Sequence, residues 1–155
     1  MSDIIKEIMA SSGNKISIFR LLESEERKKI TEYFKLITYP AGAVCVKEGE
    51  TIDFIGIIAS GKMKFERHNR ITDRPTLLAI LEKGSHIGDF SMVAKRESLG
   101  QVRAVEDTEL LVISHDKFDA FIHENPYTGI KILKGISTVL SIRLKSAIDK
   151  VMILS

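Results

Sequence analysis

The side chains able to do covalent or metal chemistry are few and scattered. Four histidines, His68, His86, His115 and His123, stand far apart, with no His-x-His pair or short Cys/His spacing to gather them. A metal site is therefore not expected. The one cysteine, Cys45, lies in the apolar run Ala43 to Lys47, where a thiol is ordinarily buried and inert. A single cysteine also excludes an intramolecular disulfide. There is no nucleophile elbow, no Walker-type phosphate loop and no carboxylate pair that stands out. No catalytic residue is assigned, and the chain reads as a non-enzyme. The remaining polar interest lies between Gly84 and Arg103. Gly88 answers a backbone need with or without a ligand. Asp89 is either a ligand-binding acid or the acid that opens a short helix, where the helix dipole favours it. Lys95, Arg96 and Glu97 read as a solvated loop.

Positioning these residues falls to a chain of 155 residues, enough for one domain with a full core. A net charge of +2 is too small to imply nucleic-acid binding. At the start Ile4, Ile5 and Ile8 recur at helical spacing, and Ser11 to Asn14 interrupt them. Ser24 reads as an N-cap, followed by Glu25 and Glu26. Ile30, Tyr33, Phe34 and Ile37 form the apolar face of that second helix. At Tyr39-Pro40-Ala41-Gly42 the pattern changes to short apolar runs cut by turns. The runs are Ala43 to Lys47, Phe54 to Ala59, Met63 to Arg67, Thr76 to Leu81, Gln101 to Val105 and Glu109 to Ile113, as in an antiparallel sandwich or barrel. Helical spacing returns in His115 to Glu124, and Tyr127 to Leu154 reads as one long helix weakened by Gly129 and Gly135.

The order helix, roll, short helix, long helix carries several motifs: Tyr39-Pro40-Ala41-Gly42, Lys47-Glu48-Gly49, Asp53 with Ile57 and Ile58, Ser60-Gly61-Lys62, Gly84-Ser85-His86-Ile87-Gly88-Asp89 and Val102-Arg103-Ala104. In this order they resemble the cyclic-nucleotide-binding domains of the catabolite activator type and of kinase regulatory subunits, from about Phe19 to Met152. The resemblance implies a mainly β fold with flanking helices. Its centre is an antiparallel double-stranded β-helix (a jelly-roll or β-roll), with N-terminal helices in 1–38, the roll in 39–114 and C-terminal helices in 115–155, all in a single domain. It also implies a phosphate-binding cassette. There Gly88 opens a helical turn whose N–H groups approach a phosphate, and Asp89, where the family has Glu, accepts the ribose 2′-hydroxyl.

Counting back from Val102-Arg103-Ala104, the family's phosphate-pairing Arg falls on Ser98 and its small hydroxyl residue on Leu99. Arg96, two residues earlier, is the nearest cation that a remodelled cassette could use. Removing one partner of such a charge pair costs about 2–5 kcal/mol. Aligning Arg143-Leu144 and Asp149-Lys150-Val151 puts Ala147 and Ile148 where activator-type members place a Thr-Ser pair against the purine. The expectation is a regulatory or sensor domain that does not bind cyclic AMP in the usual manner. Its candidate ligand contacts are Gly88, Asp89, Phe90, Arg96, Ser98 and Leu99. A different small anionic ligand, or none, stays open, and no cofactor is assigned. The alternative is a ligand-free dimerisation or protein-interaction module on the same fold.

Leu133, Leu140, Leu144, Ala147, Val151 and Leu154 fall close to a 3,4 seam, flanked by Ile132, Ile136, Val139, Ile148 and Met152. One stripe would suffice to cover the roll, so a second points to a partner helix and a homodimer, the alternative being a single wide stripe laid against the roll. The activator family, by resemblance, pairs this helix across a two-fold axis. Nothing after Ser155 can read a major groove, so no nucleic-acid contact is expected of this chain. No apolar run approaches the roughly 18 residues of a membrane helix, and no signal peptide is read. The chain is expected to be cytoplasmic.

Overall fold

In the computed structural model, residues 17–155 are described, so the helix expected around Ile4 to Ile8 lies outside the described residues. The chain enters through a turn closed by Arg20 N–H to the Ser17 carbonyl and Leu22 N–H to the Phe19 carbonyl. Helix α1 (Ser24–Thr31) follows. Its N-cap is Glu23, not Ser24, because the Glu26 carboxylate reaches back to the Glu23 N–H at 2.8 Å and closes a capping box from that position. The helix also stops earlier than its apolar face suggests. Tyr33 N–H and Phe34 N–H turn back to the Ile30 and Thr31 carbonyls, and Ile37 lies on strand β1 (Lys35–Tyr39). Tyr33 and Phe34 still pack on the core, which is why helical spacing ran through the boundary. The roll thus begins at Lys35, inside the stretch assigned to helices.

The remaining strands are β2 (Val44–Val46), β3 (Phe54–Ser60), β4 (Lys62–Asn69), β5 (Arg74–Glu82), β6 (His86–Ile87), β7 (Gln101–Ala104) and β8 (Thr108–Ser114). They form two four-stranded sheets, ordered β1-β8-β3-β6 and β2-β7-β4-β5, with every pairing antiparallel. This is the β-roll. Val46, Ile58, Met63, Ile87, Val102 and Leu110 join the sheets in one core cluster. Ile55, Ile57, Leu111 and Ile113 belong to a second cluster with Ile18, Phe19, Ile30, Phe118, Phe121, Ile132 and Ile136 from the helical segments. Strand β3 therefore feeds both cores, and its sequence is a continuous apolar run rather than an alternating one. At the other sheet's margin, β5 has exposed Leu77, Leu78 and Ile80. Its ladder with β4 breaks where Leu78 is left without a register partner between Leu77 and Ala79.

Helix α2 (Asp89–Ala94) connects the sheets, and α3 (His115–Glu124) and α4 (Pro126–Leu154) follow the roll. Ser114 caps α3 by accepting the Lys117 N–H. Pro126 opens α4, where a missing N–H costs nothing. Gly135 does more than weaken this helix: a Cβ there would collide with the Ile18 carbonyl oxygen, so the glycine permits the entry turn to lie against α4. Thr128, Gly129, Ile132, Gly135, Ile136 and Val139 are buried, whereas every residue from Ser141 to Ser155 is exposed.

Candidate functional site

The cassette is built from the backbone upward. Strand β6 pairs with β3 through Ile87 opposite Gly56 and His86 opposite Ile57. This short ladder delivers Gly88 beside Phe54. Gly88 has φ 85° and forms the N-cap of α2. That left-handed backbone favours glycine, and a Cβ would also run into the Phe54 carbonyl oxygen. The glycine is thus fixed twice over. The helix closes with Met92 N–H on the Gly88 carbonyl and Lys95 N–H on the Ser91 carbonyl. Lys95 itself is left-handed, at φ 50°.

Asp89, the first helical residue, is buried, with 3% of its side chain exposed. Arg143 of α4 meets it. Its Nη1 donates to both Asp89 carboxylate oxygens, at 3.1 and 2.9 Å, and its Nη2 donates to the His86 carbonyl at 3.2 Å. One guanidinium therefore spans the last strand residues before the cassette and the first residue of its helix. Burying a carboxylate is costly unless such a partner and its hydrogen bonds compensate it. Arg143 is the residue of this arrangement that sequence reasoning missed, since it served there only as an alignment anchor. The available signal was that an acid placed in a buried turn needs a cation from whatever covers it. Arg143, Lys145 and Lys150 all offered one, and only the fold selects among them.

The other candidates scatter. Ser98 is nearly buried and fully engaged: its N–H donates to the Glu50 carbonyl at 2.7 Å, its carbonyl accepts from Gly49 N–H at 3.0 Å, and its hydroxyl donates to the Gly100 carbonyl at 2.7 Å. It staples the cassette exit to the β2–β3 turn. Phe90 is half-buried, while Arg96 and Leu99 are exposed. The structure thus brings together Gly88, Asp89 and an unforeseen Arg143. The Ser98 position contributes backbone order, without a cation.

Among the proposed dimer residues, Leu140 packs partly on its own core. Leu133 lines a surface groove with Arg20, Leu21, Ile130, Lys134, Ser137 and Thr138. Leu144, Ala147, Val151 and Leu154 are exposed.

Cys45 is half-buried, and burial pushes its thiol pKa up. Its neighbour Tyr39 is pushed up to about 12 by burial, with the bond to Cys45 adding to the shift. Neither group is poised to react near neutral pH. Among the described residues, no three of His, Cys, Asp and Glu gather as a metal site requires. No helix among them is long and apolar enough to cross a membrane.

Comparison with known proteins places these observations. Residues 36–125 match the family model "Cyclic nucleotide-binding domain". The cyclic AMP receptor protein of Thermus thermophilus is 28% identical over 84% of this chain and 58% of its own length. The crystal structure of the Thermus thermophilus catabolite activator protein superposes with a TM-score of 0.77 at 28% identity, over 88% of this chain and 62% of that one. A cyclic nucleotide-binding domain from Methylobacillus flagellatus superposes with a TM-score of 0.85 at 22% identity, over 99% of this chain and 83% of that one, a likeness of fold. The chain spans less than two thirds of the Thermus relative's length.

Proposed function

We propose that this chain, which belongs to the cyclic nucleotide-binding domain family, is a regulatory sensor domain whose cassette is tied to its long helix by Arg143 and does not hold cyclic AMP in the usual manner. The observation that carries the reading is the pairing of Arg143 with Asp89 and the His86 carbonyl. A ligand hydroxyl that bonds Asp89 must share or displace that guanidinium. Occupancy of the cassette then changes how α4 is held, and the helix reports it. Weak cyclic-nucleotide binding is supported by Ser98, which stands where the family's phosphate-pairing arginine is expected and commits its hydroxyl to Gly100. Ala147 and Ile148 add no hydroxyl on the helix side.

The output on this reading is a homodimer formed through the exposed half of α4. Leu144 and Val151 are 63% and 64% exposed there, with Ala147 and Leu154 on the same seam. No catalytic role is assigned to any residue. The domain acts in the cytoplasm, where a free thiol such as Cys45 persists. A ligand-free interaction module is the second reading, and the same ion pair favours it in one respect: Asp89 is satisfied without any ligand.

Calorimetric titration with cyclic AMP and cyclic GMP separates the two, with Ser98→Arg as the internal control. The sensor reading expects at best weak heat from the parent protein. It expects cyclic AMP affinity to rise at least tenfold in Ser98→Arg, since a restored charge partner is worth more than about 1.4 kcal/mol. If neither protein binds at millimolar nucleotide, the cyclic-nucleotide sensor is withdrawn in favour of the interaction module.

A further inference from the structure

The end strands of the two sheets differ in how well they can accept another strand. β6 is two residues long. The β2 ladder shifts register between Val44 and Val46, and the β5 ladder breaks at Leu78. Short or bulged strands discourage further pairing. β1 has neither guard. Its five residues face β8 in unbroken register, from Lys35 opposite Val112 to Tyr39 opposite Thr108. Its one charge, Lys35, stands at the first position, and among the described residues no strand lies beyond it. Its side chains are incompletely covered as well. Leu36 and Ile37 point to opposite faces of the sheet and stand opposite Leu111 and Leu110. Those two β8 residues are 1% and 0% exposed, whereas Leu36 and Ile37 are 38% and 40% exposed. One further strand would shelter them as β1 shelters its neighbours on β8.

We infer that the free edge of β1 docks a second copy of this chain, β1 against β1 and antiparallel, so that the two β1-β8-β3-β6 sheets become one continuous sheet. The strand is self-complementary. A two-fold axis at Ile37 sets Ile37 against the second copy's Ile37, Leu36 against its Thr38 and Lys35 against its Tyr39. All five residues find a partner, and no charge stands opposite a like charge. The two Lys35 groups fall at opposite ends of the ladder, about 13 Å apart, beyond a Debye length of about 8 Å in physiological salt. Five residues a side bury less than the roughly 1,000 Å² of a stable stand-alone interface. The contact is therefore weak by itself and strengthens between chains already gathered elsewhere. The inference goes beyond the sensor reading, because neither the cassette nor α4 takes part in it.

The test is sedimentation equilibrium of the full chain carrying Val151→Lys, so that the α4 seam does not contribute. That protein is expected to associate reversibly at high concentration. Adding Ile37→Lys or Ile37→Glu puts like charges face to face at the two-fold axis and removes an apolar pair, so each should weaken association about tenfold. An equal mixture of the two should recover it, which a merely damaged fold cannot do. Disulfide trapping reads the register in full chains with Cys45→Ser. Ile37→Cys should cross-link readily, since directly opposed Cβ atoms lie about 5 Å apart. Lys35→Cys should not, at about 13 Å. Several results would overturn the proposal: no association at any concentration, association that survives both Ile37 charges, a mixture no better than its parts, or equal trapping at 35 and 37. A thiol at position 37 closed to small reagents would also overturn it, since another segment would then cover the edge. A failure of nucleotide binding, or of the α4 seam, would leave these readings unaffected.

Discussion

Replacing Arg143 by Leu removes the single guanidinium that neutralises Asp89, and the cost follows from how each partner is buried. Breaking a fully buried ion pair by deleting one member costs about 3–5 kcal/mol, because the other charge is left without compensation. Asp89 meets that condition, with 3% of its side chain exposed, but Arg143 is 43% exposed. The gap it leaves therefore admits water to the carboxylate. Roughly halving the penalty gives about 2 kcal/mol. In a domain of this length that lowers the melting temperature by about 6 °C. Asp89→Asn works from the other side. It leaves a cation that solvent already reaches, so it should cost only about 1 kcal/mol.

The two substitutions share one interaction, and the double variant should recover about 1 kcal/mol relative to their sum. Thermal and urea unfolding of the four proteins measures the cycle, and hydrogen exchange in residues 89–94 locates it. Additive effects, or an Arg143→Leu protein melting within a degree of the parent, would refute the claim that the helix holds the cassette through this pair.

Further outcomes follow from other positions. Gly88→Ala must adopt φ 85° and meets the Phe54 carbonyl, so it should destabilise by more than about 2 kcal/mol in chemical denaturation. A melt close to the parent's would show that the turn can open at little cost. Val151→Lys should convert a dimer to a monomer in light-scattering chromatography, since burying a new charge at a helix seam is prohibitive. An unchanged mass would remove that seam from the interface. Glu26 has a folded pKa lowered from 4.5, chiefly by its hydrogen bond from Lys131. Its contribution is present above pH 4.5 and is lost as pH falls through the lowered value. Acid titration of stability should therefore show a steeper fall below pH 4.5 in the parent than in Glu26→Gln, and parallel curves would exclude the ion pair as a source of acid sensitivity.

Much of the fold is legible in local pattern, because turn residues and short apolar runs mark most strands even though their partners are distant in sequence. Gly84, Gly88 and the apolar β3 run mark their elements directly. The boundary at Lys35 is not legible. Tyr33 and Phe34 satisfy helical spacing while packing from a turn, and strand β1 is defined only by its ladder with β8, 69 to 77 residues away. Strand β6 is two residues long and has no periodicity to read. The site divides in the same way. Gly88 and Asp89 announce themselves by type and order, whereas Arg143 gains its role from a contact 54 residues distant. Gly135 likewise reads as a weak point until the Ile18 backbone is seen against it.

Strand β5 ends its sheet with Leu77, Leu78 and Ile80 in water, the makings of a template on which unfolded or neighbouring chains could add strands. Two irregularities spoil the template. Pro75 has no N–H to offer an incoming strand, and the extra residue at Leu78 breaks the even spacing of donors and acceptors that a straight partner would need. Both irregularities make the exposed strand a poor edge for an incoming one. Deleting Leu78 together with Pro75→Val, which leaves the core clusters untouched, would regularise that margin and should yield a chain that aggregates from its native state.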